Sequence, residues 1–260
     1  MKKILHHSNI PTERFTETVE NYIKYRPSYP KEILSLLADE CGLTQGKIIA
    51  DIGSGTGLLT KLFLDNGYIV YGVEPNQLMR TTSENYLNSY SHFHSINGTA
   101  EATTLDNQSI DFITAGTAFH WFDIEKSHIE FKRILKKSGW VVLIWNVRNI
   151  EQSRLLREYE ELIIKFGTDY EASNAKKFNH TVGREFFYPN EMKVKSFKNI
   201  QLFDWQGFKG RLLSASYALR PGDSGYDDMI NQLKIIFDRY QTNSIIEFLY
   251  ETKIYYGQLS

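Results

Sequence analysis

The sequence predicts an α/β fold built on a doubly wound, mostly parallel sheet, and three observations carry that expectation. Short apolar runs alternate with helical patterns between residues 48 and 145. A glycine-rich turn joins the first of those runs to the helix behind it. The chain has 260 residues, 42% of them hydrophobic, which is enough to bury the core such a sheet requires.

The elements follow in order. Phe15, Val19, Tyr22, Ile23 and Arg26 share one helical face and Pro27 closes the pattern, so a first helix is predicted over roughly 12–26. A second starts near Pro30, turns Ile33, Leu34, Leu36 and Leu37 to the core and ends at Gly42. Strands are predicted at 48–52, 68–73, 92–96, 110–115 and 141–145, with helices at 58–65, 77–87 and 124–136 between them. Helices alternating with strands make a parallel sheet covered on both faces.

Past Asn149 the pattern changes. Leu155, Leu156, Tyr159, Leu162, Ile163 and Phe166 form a helix face, and 167–190 has no clear period and reads as an insertion. A strand near 196–205 and an unassigned stretch at 207–216 precede a helix that aligns Tyr226, Met229, Ile230, Leu233, Ile236, Phe237 and Tyr240. Ile246, Phe248, Tyr250 and Ile254 alternate as a final strand. No repeat, low-complexity tract or separating linker is visible, so residues 1–260 are expected to be one domain. Its parts are an arm (1–46), a core (47–150) and the remaining strands with cap insertions (151–260).

Charge and composition narrow the partners. Thirty basic against 31 acidic side chains leave a net charge of −1, which gives a nucleic-acid backbone no broad attraction. Cys41 is the lone cysteine and cannot form an internal disulfide. Residues 1–10 break into His6, His7, Ser8 and Asn9 instead of an apolar signal core, and the longest apolar run, 140–145, is far below a membrane span of about 20 residues. A cytoplasmic protein with neither nucleic-acid nor membrane partner, monomeric or homodimeric, is expected.

Chemistry begins at the turn. Asp51 ends the first strand and Gly53, Gly55 and Gly57 follow on alternate positions, where missing side chains allow positive φ and let backbone N–H groups approach a ligand at a helix N-terminus. A dinucleotide fingerprint needs its third glycine where Leu58 stands. What remains is an acidic strand end with a glycine backbone, suited to a ligand that carries an amino-acid moiety, S-adenosylmethionine. The other reading is a plain tight turn.

With the segments Tyr25-Arg26-Pro27-Ser28-Tyr29-Pro30, Gly72-Val73-Glu74-Pro75, Gly98-Thr99-Ala100-Glu101, Ala118-Phe119-His120-Trp121-Phe122 and Trp145-Asn146, the chain resembles the class I, Rossmann-like S-adenosylmethionine-dependent methyltransferases. The small-molecule branch that includes trans-aconitate methyltransferase-like proteins is the nearest likeness. The resemblance covers about the first 150 residues and implies a seven-stranded sheet whose last strand inserts antiparallel beside the fifth. Ser54 stands where many relatives carry cysteine, at a position that offers mainly its backbone.

Each candidate residue has a second reading. Glu74, followed by Pro75, ends the second strand where a carboxylate can accept both ribose hydroxyls, or it is an ordinary exposed glutamate. Thr99, Ala100 and Glu101 fall where the family lines the adenine ring, although Glu101 equally suits a helix N-terminus. Tyr22 and Arg26 share a helix face; the arginine fork suits the cofactor carboxylate, or it is a surface arginine, and Tyr25 is an alternative on the same arm. Gly116, Thr117 and Ala118 follow the fourth strand at the ligand-binding edge of an open sheet. In the same loop His120 is the candidate catalytic residue, as base or as an orienting group, or else packs beside Trp121 and Phe122 for structure.

That loop lacks the Asn/Asp-Pro-Pro-aromatic motif of amino-methylating nucleic-acid enzymes, Cys41 is outside any Pro-Cys pair, and Asn146 and Asn149 have no carboxylate beside them, so no metal is expected. Phe186, Phe187, Tyr188, Trp205 and Phe208 either wall an apolar substrate pocket or belong to core and surface; Arg148, Arg211 and Arg220 either hold an anion or do likewise. The expected function is methyl transfer from S-adenosylmethionine, leaving S-adenosylhomocysteine, to a small molecule, foremost to a carboxylate or hydroxyl oxygen. The alternatives are a non-catalytic cofactor-binding module and an NAD(P)-dependent oxidoreductase, which lacks its final glycine and a Tyr-x-x-x-Lys pair.

Overall fold

Glycine, proline and capping side chains mark most of the element boundaries in the computed structural model, which describes residues 23–168, 170 and 180–260. The predicted first helix falls largely outside these residues, and Tyr22 does so entirely; 23–25 are helical and Arg26 is a bend. Helix α1 (Glu32–Cys41) ends at Gly42, whose φ of +71° is the left-handed stop that glycine supplies. Strand β1 (Ile48–Ile52) leads through the glycine turn into α2 (Leu58–Leu64), and β2 (Ile69–Val73) into α3 (Gln77–Tyr86), whose N-cap Asn76 accepts from Met79 N. After β3 (Phe93–Ile96) and β4 (Ile110–Gly116) comes α4 (Ile124–Ile134), capped by Asp123 through Lys126 N.

The strand order is β3-β2-β1-β4-β5-β7-β6. Strands β1 to β5 pair in parallel, while β7 (Ile246–Gly257) runs antiparallel between β5 (Leu135–Arg148) and β6 (Lys193–Phe203). The expected antiparallel last strand is thus present beside the fifth. Winding reverses between β1 and β4, and at such a switch point the loops leaving the two carboxyl ends diverge and open a crevice.

Alternation along β1 feeds two cores. Ile49 packs with α1 and α2 through Ile33, Leu37 and Phe63, whereas Ala50 and Ile52 face Phe131 of α4 and Phe186 of α6 (His180–Phe187). A third core lies on β6 and β7, where Phe203, Phe248 and Tyr250 meet α5 (Arg154–Phe166), α7 (Trp205–Leu213) and α8 (Tyr226–Tyr240). Among the described residues no helix is long and apolar enough to cross a membrane.

Two stretches depart from expectation. Strand β5 starts at Leu135 directly after α4, and its pairing with β4 shifts register between Ile110 and Phe112, so the extension carries a bulge that the apolar run at 141–145 does not announce. The unassigned stretch is helix α7: Asp204 caps it by accepting from Gly207 N at 2.7 Å, and β6 ends one residue earlier than the cap. Gly207 and Gly210 weaken the helical pattern in the sequence because they serve packing. A Cβ at Gly207 would stand 2.8 Å from Phe203 Cδ1, and one at Gly210 2.1 Å from the Tyr25 ring.

Gly210→Ala sets a helix-propensity gain of about 1 kcal/mol against an overpacking cost of about 3 kcal/mol. We expect a net loss of about 2 kcal/mol in urea unfolding; a stabilised variant would show that Tyr25 yields its place freely.

Candidate functional site

At the end of β1 the chain turns through Gly53, Gly55 and Gly57, all at positive φ (+67°, +56° and +87°). The three glycines answer different demands. A Cβ on Gly53 would meet Ala118 Cβ at 2.7 Å and one on Gly57 would meet Leu87 Cδ1 at 2.6 Å, whereas Gly55 has open space and is constrained by its backbone alone. Gly53 N donates to Val73 O at 2.8 Å, which ties the turn to the end of β2.

Two buried acids flank the turn. Asp51 is 1% exposed and accepts from Thr60 Oγ1 (2.6 Å) and Thr114 Oγ1 (3.0 Å). Burial pushes its carboxyl up to about 6, against the pull of the two hydroxyls. Glu74 accepts from Gly55 N through Oε2 (2.9 Å) and from Asn76 N through Oε1 (2.8 Å), and burial raises its carboxyl above the ordinary glutamate value. Glu74 is therefore no ordinary exposed glutamate.

The switch-point crevice holds two adjoining cavities that share Gly53, Gly55, Gly116 and Thr117. The larger, 210 Å³, is also lined by Glu74, Pro75, Asn76, Met79, Thr99, Ala100, Glu101, Ala118, Trp121 and Phe122. The smaller, 70 Å³, is lined by Arg26, Pro27, Tyr29, Asp51, Ser54, Thr56, Leu58, Leu59, Asn146 and Arg211 as well. Every described cofactor candidate except Gly57 therefore borders one cavity or the other; Gly57 sits behind the turn as the N-cap of α2. Thr117 lies at φ +55°, a rare backbone state for a β-branched residue, with its N–H on Ile144 O at 2.7 Å.

Polar atoms converge on the smaller cavity. Arg26 reaches it while its Nη2 donates to Ser214 O at 3.0 Å. The buried hydroxyls of Ser54 and Thr56 have no hydrogen-bond partner among the described residues, so this wall offers groups for a polar ligand. Arg211, 2% exposed, donates through Nε to Tyr250 Oη at 2.8 Å. Among the described residues no cluster of three or more His, Cys, Asp or Glu side chains could hold a metal ion.

Glu101 lines the larger cavity and accepts from the N–H of Asp123 (2.8 Å), the N-cap residue of α4. His120 lies on the 3₁₀ turn Phe119–Trp121, half-buried, its ring 4.8 Å from that of Trp121; Trp121 and Phe122, not His120, border the cavity. Tyr25 packs into the third core against Gly210. Phe186, Phe187 and Phe208 are buried core, Trp205 packs on Phe237 and Tyr188 is 76% exposed, so these residues do not wall the crevice. Arg148 is matched by Glu160 at 2.7 Å and Arg220 donates to the carbonyls of Leu213 and Ala215. Sequence reasoning gave no cavity role to Asn76, Met79, Leu58 or Leu59; Pro27, Tyr29 and Asn146 lay within segments already singled out, which was their available signal.

Comparison with known proteins agrees with this geometry. Residues 50–143, from β1 to β5, match a family described as a methyltransferase domain. An uncharacterized methyltransferase of Mycobacterium bovis is 32% identical over 153 residues, 59% of this chain and 60% of that protein. One of Schizosaccharomyces pombe is 29% identical over 137 residues, 52% of this chain and 53% of that protein. The chain thus spans between half and two thirds of the length of these relatives. Among solved structures, a provisionally assigned type II methyltransferase of Anaeromyxobacter dehalogenans aligns with a TM-score of 0.65 at 16% identity, over 90% of this chain and 98% of that one. A provisionally assigned methyltransferase from an antibiotic biosynthesis pathway of Anabaena variabilis aligns with a TM-score of 0.56 at 20% identity, over 91% and 99%. These two likenesses bear on fold alone. Residues 50–143, from β1 to β5, thus match a methyltransferase domain, and the sheet completed by an antiparallel β7 has the fold seen in the solved methyltransferase structures it resembles.

Proposed function

We propose that residues 1–260 act as one methyltransferase domain that moves a methyl group from S-adenosylmethionine to an oxygen of a small molecule, a carboxylate or a hydroxyl. The observation that carries this reading is the two-part crevice, in which a glycine backbone, two buried carboxylates and Arg26 meet. The bound cofactor supplies an electrophilic methyl group on a sulfonium sulfur. Asp51 and the hydroxyl of Thr56 suit its ammonium and carboxylate end, with Arg26 as the anion's fork. Glu74 keeps lone pairs for ribose hydroxyls, and Ala100 leaves room for a flat base between Met79 and Phe122. Pro75, Thr99, Glu101, Gly116, Thr117 and Ala118 complete that wall, and Ser54 and Gly53 present backbone.

The acceptor class follows from charge. Arg211 is a buried guanidinium whose hydrogen bonds go to Tyr250 and Ser214, and among the described residues no carboxylate is paired with it. Burying an unmatched charge is costly, and an anionic acceptor beside Arg211 would offset that cost. Two arginines line the smaller cavity, one for each carboxylate: the cofactor's and the acceptor's. An acceptor oxygen that is already ionised needs alignment and exclusion of water rather than a base. A hydroxyl acceptor would instead need a base, and His120, next to the cavity-lining Trp121 though outside the lining itself, is the group we assign to that role.

Labelled methyl transfer to a panel of small carboxylic acids, phenols and amines tests the reading. We expect transfer to an acid or a phenol. Tight binding of S-adenosylhomocysteine with silence across the panel would leave a binding module, and no binding would remove the reading altogether. His120→Ala should lower turnover of a carboxylate acceptor only a few-fold, and that of a phenol by about 10²-fold or more, the loss being largest where the phenol is fully protonated.

The raised carboxyl of Asp51 sets a pH dependence. Below about 6 the free protein holds Asp51 protonated, and the anion that would accept from the cofactor's ammonium is lost. The dissociation constant of S-adenosylhomocysteine should rise about tenfold for each pH unit below that point. Asp51→Asn should bind weakly at pH 8 and lose this part of the slope, as calorimetry across pH would record.

A further inference from the structure

The segment 25–29 closes one side of the smaller cavity with Arg26, Pro27 and Tyr29, and side-chain amides on the sheet take hold of its carbonyls. Gln201 Nε2 donates to Arg26 O (3.2 Å) and Tyr25 O (3.4 Å), and Asn199 Nδ2 donates to Ser28 O at 2.7 Å. Asn199 and Gln201 are two residues apart on β6, so both project from one face.

The direction of these bonds is set from behind. Arg211 can only donate, and its Nε donates to Tyr250 Oη. The Tyr250 hydroxyl therefore gives its own proton to Gln201 Oε1 (3.0 Å), which leaves the Gln201 NH₂ group turned to the strap. An amide fixed at its oxygen cannot flip without losing that bond. The strap is thus held by a polarised chain that begins at a buried cation and ends on two main-chain carbonyls.

We propose that Gln201 and Asn199 are positioning residues: by holding 25–29 against the crevice they govern retention of the amino-acid end of the cofactor and leave its nucleoside end unaffected. The proposal rests on the functional reading above. The nucleoside end belongs to the larger cavity, whose lining includes no strap residue, and the amino-acid end to the smaller one, whose lining includes three.

Two probes separate these ends, S-adenosylhomocysteine and adenosine, measured by calorimetry on the full chain. Gln201→Ala should raise the S-adenosylhomocysteine dissociation constant about tenfold, the size of one or two net hydrogen bonds, and change that of adenosine by less than about twofold. Gln201→Glu fills the same space without amide donors and should behave like Gln201→Ala. Tyr250→Phe, which removes one oxygen and leaves the Gln201 amide unanchored, should shift the ratio of the two constants the same way by about threefold, and it carries the comparison alone should the Gln201 variants not fold. The ratio is insensitive to any inactive fraction. An unchanged ratio, or full rescue by Gln201→Glu, overturns the proposal. Absence of S-adenosylhomocysteine affinity in the wild type overturns the functional reading itself, before any variant is compared.

Discussion

A carboxylate borrowed from the neighbouring strand shapes the turn on which the crevice depends. Glu74 stands at the end of β2, and its two oxygens take the N–H groups of Gly55 and Asn76, one from each of the loops that leave the sheet there. A chain carrying three residues at positive φ has lost the backbone partners that regular structure supplies, so an acceptor must come from outside. With it in place, the turn keeps an open face toward Gly116 and Thr117, and both cavities share that face. The same carboxylate is buried, and its remaining lone pairs are the ones a ligand would use.

Much of this was legible in the chain because the governing patterns are local. The first four strands were placed to within one or two residues by their apolar runs and by the turns between them, and the glycine spacing located the crevice wall. What was not legible depends on distant neighbours. Helix α7 was hidden by Gly207 and Gly210, whose bare α-carbons make sense only once Phe203 and Tyr25 are seen to press against them. In the His120 loop, four consecutive aromatic or imidazole rings read alike in sequence, and only their packing, with Phe119 buried against Phe186, separates Trp121 and Phe122, which border the cavity, from the other two. The arginines divide for the same reason: Arg148 finds Glu160, Arg220 finds carbonyls, and Arg211 meets the crevice.

The cap and the cofactor side are one electrostatic system. Three arginines approach one another around Tyr217, whose hydroxyl they hold below its ordinary value in spite of burial. Glu160 answers one of those charges, so positive charge remains in excess in this region of the described structure. Excess buried charge of this kind is tolerated where a ligand of opposite sign completes it, so an anion bound here would stabilise the packing around Tyr217.

The insertion of β7 between β5 and β6 has a consequence for how the molecule is made. β6 is synthesised before β7, yet its sheet partner is β7, so at that stage it has nothing to pair with. A nascent chain halted ahead of Ile246 can complete the five parallel strands but must leave β5 as an open border and β6 adrift. Assembly on the ribosome would then proceed in two acts, the parallel half with the glycine turn first and the strap-holding half only after β7 enters between β5 and β6.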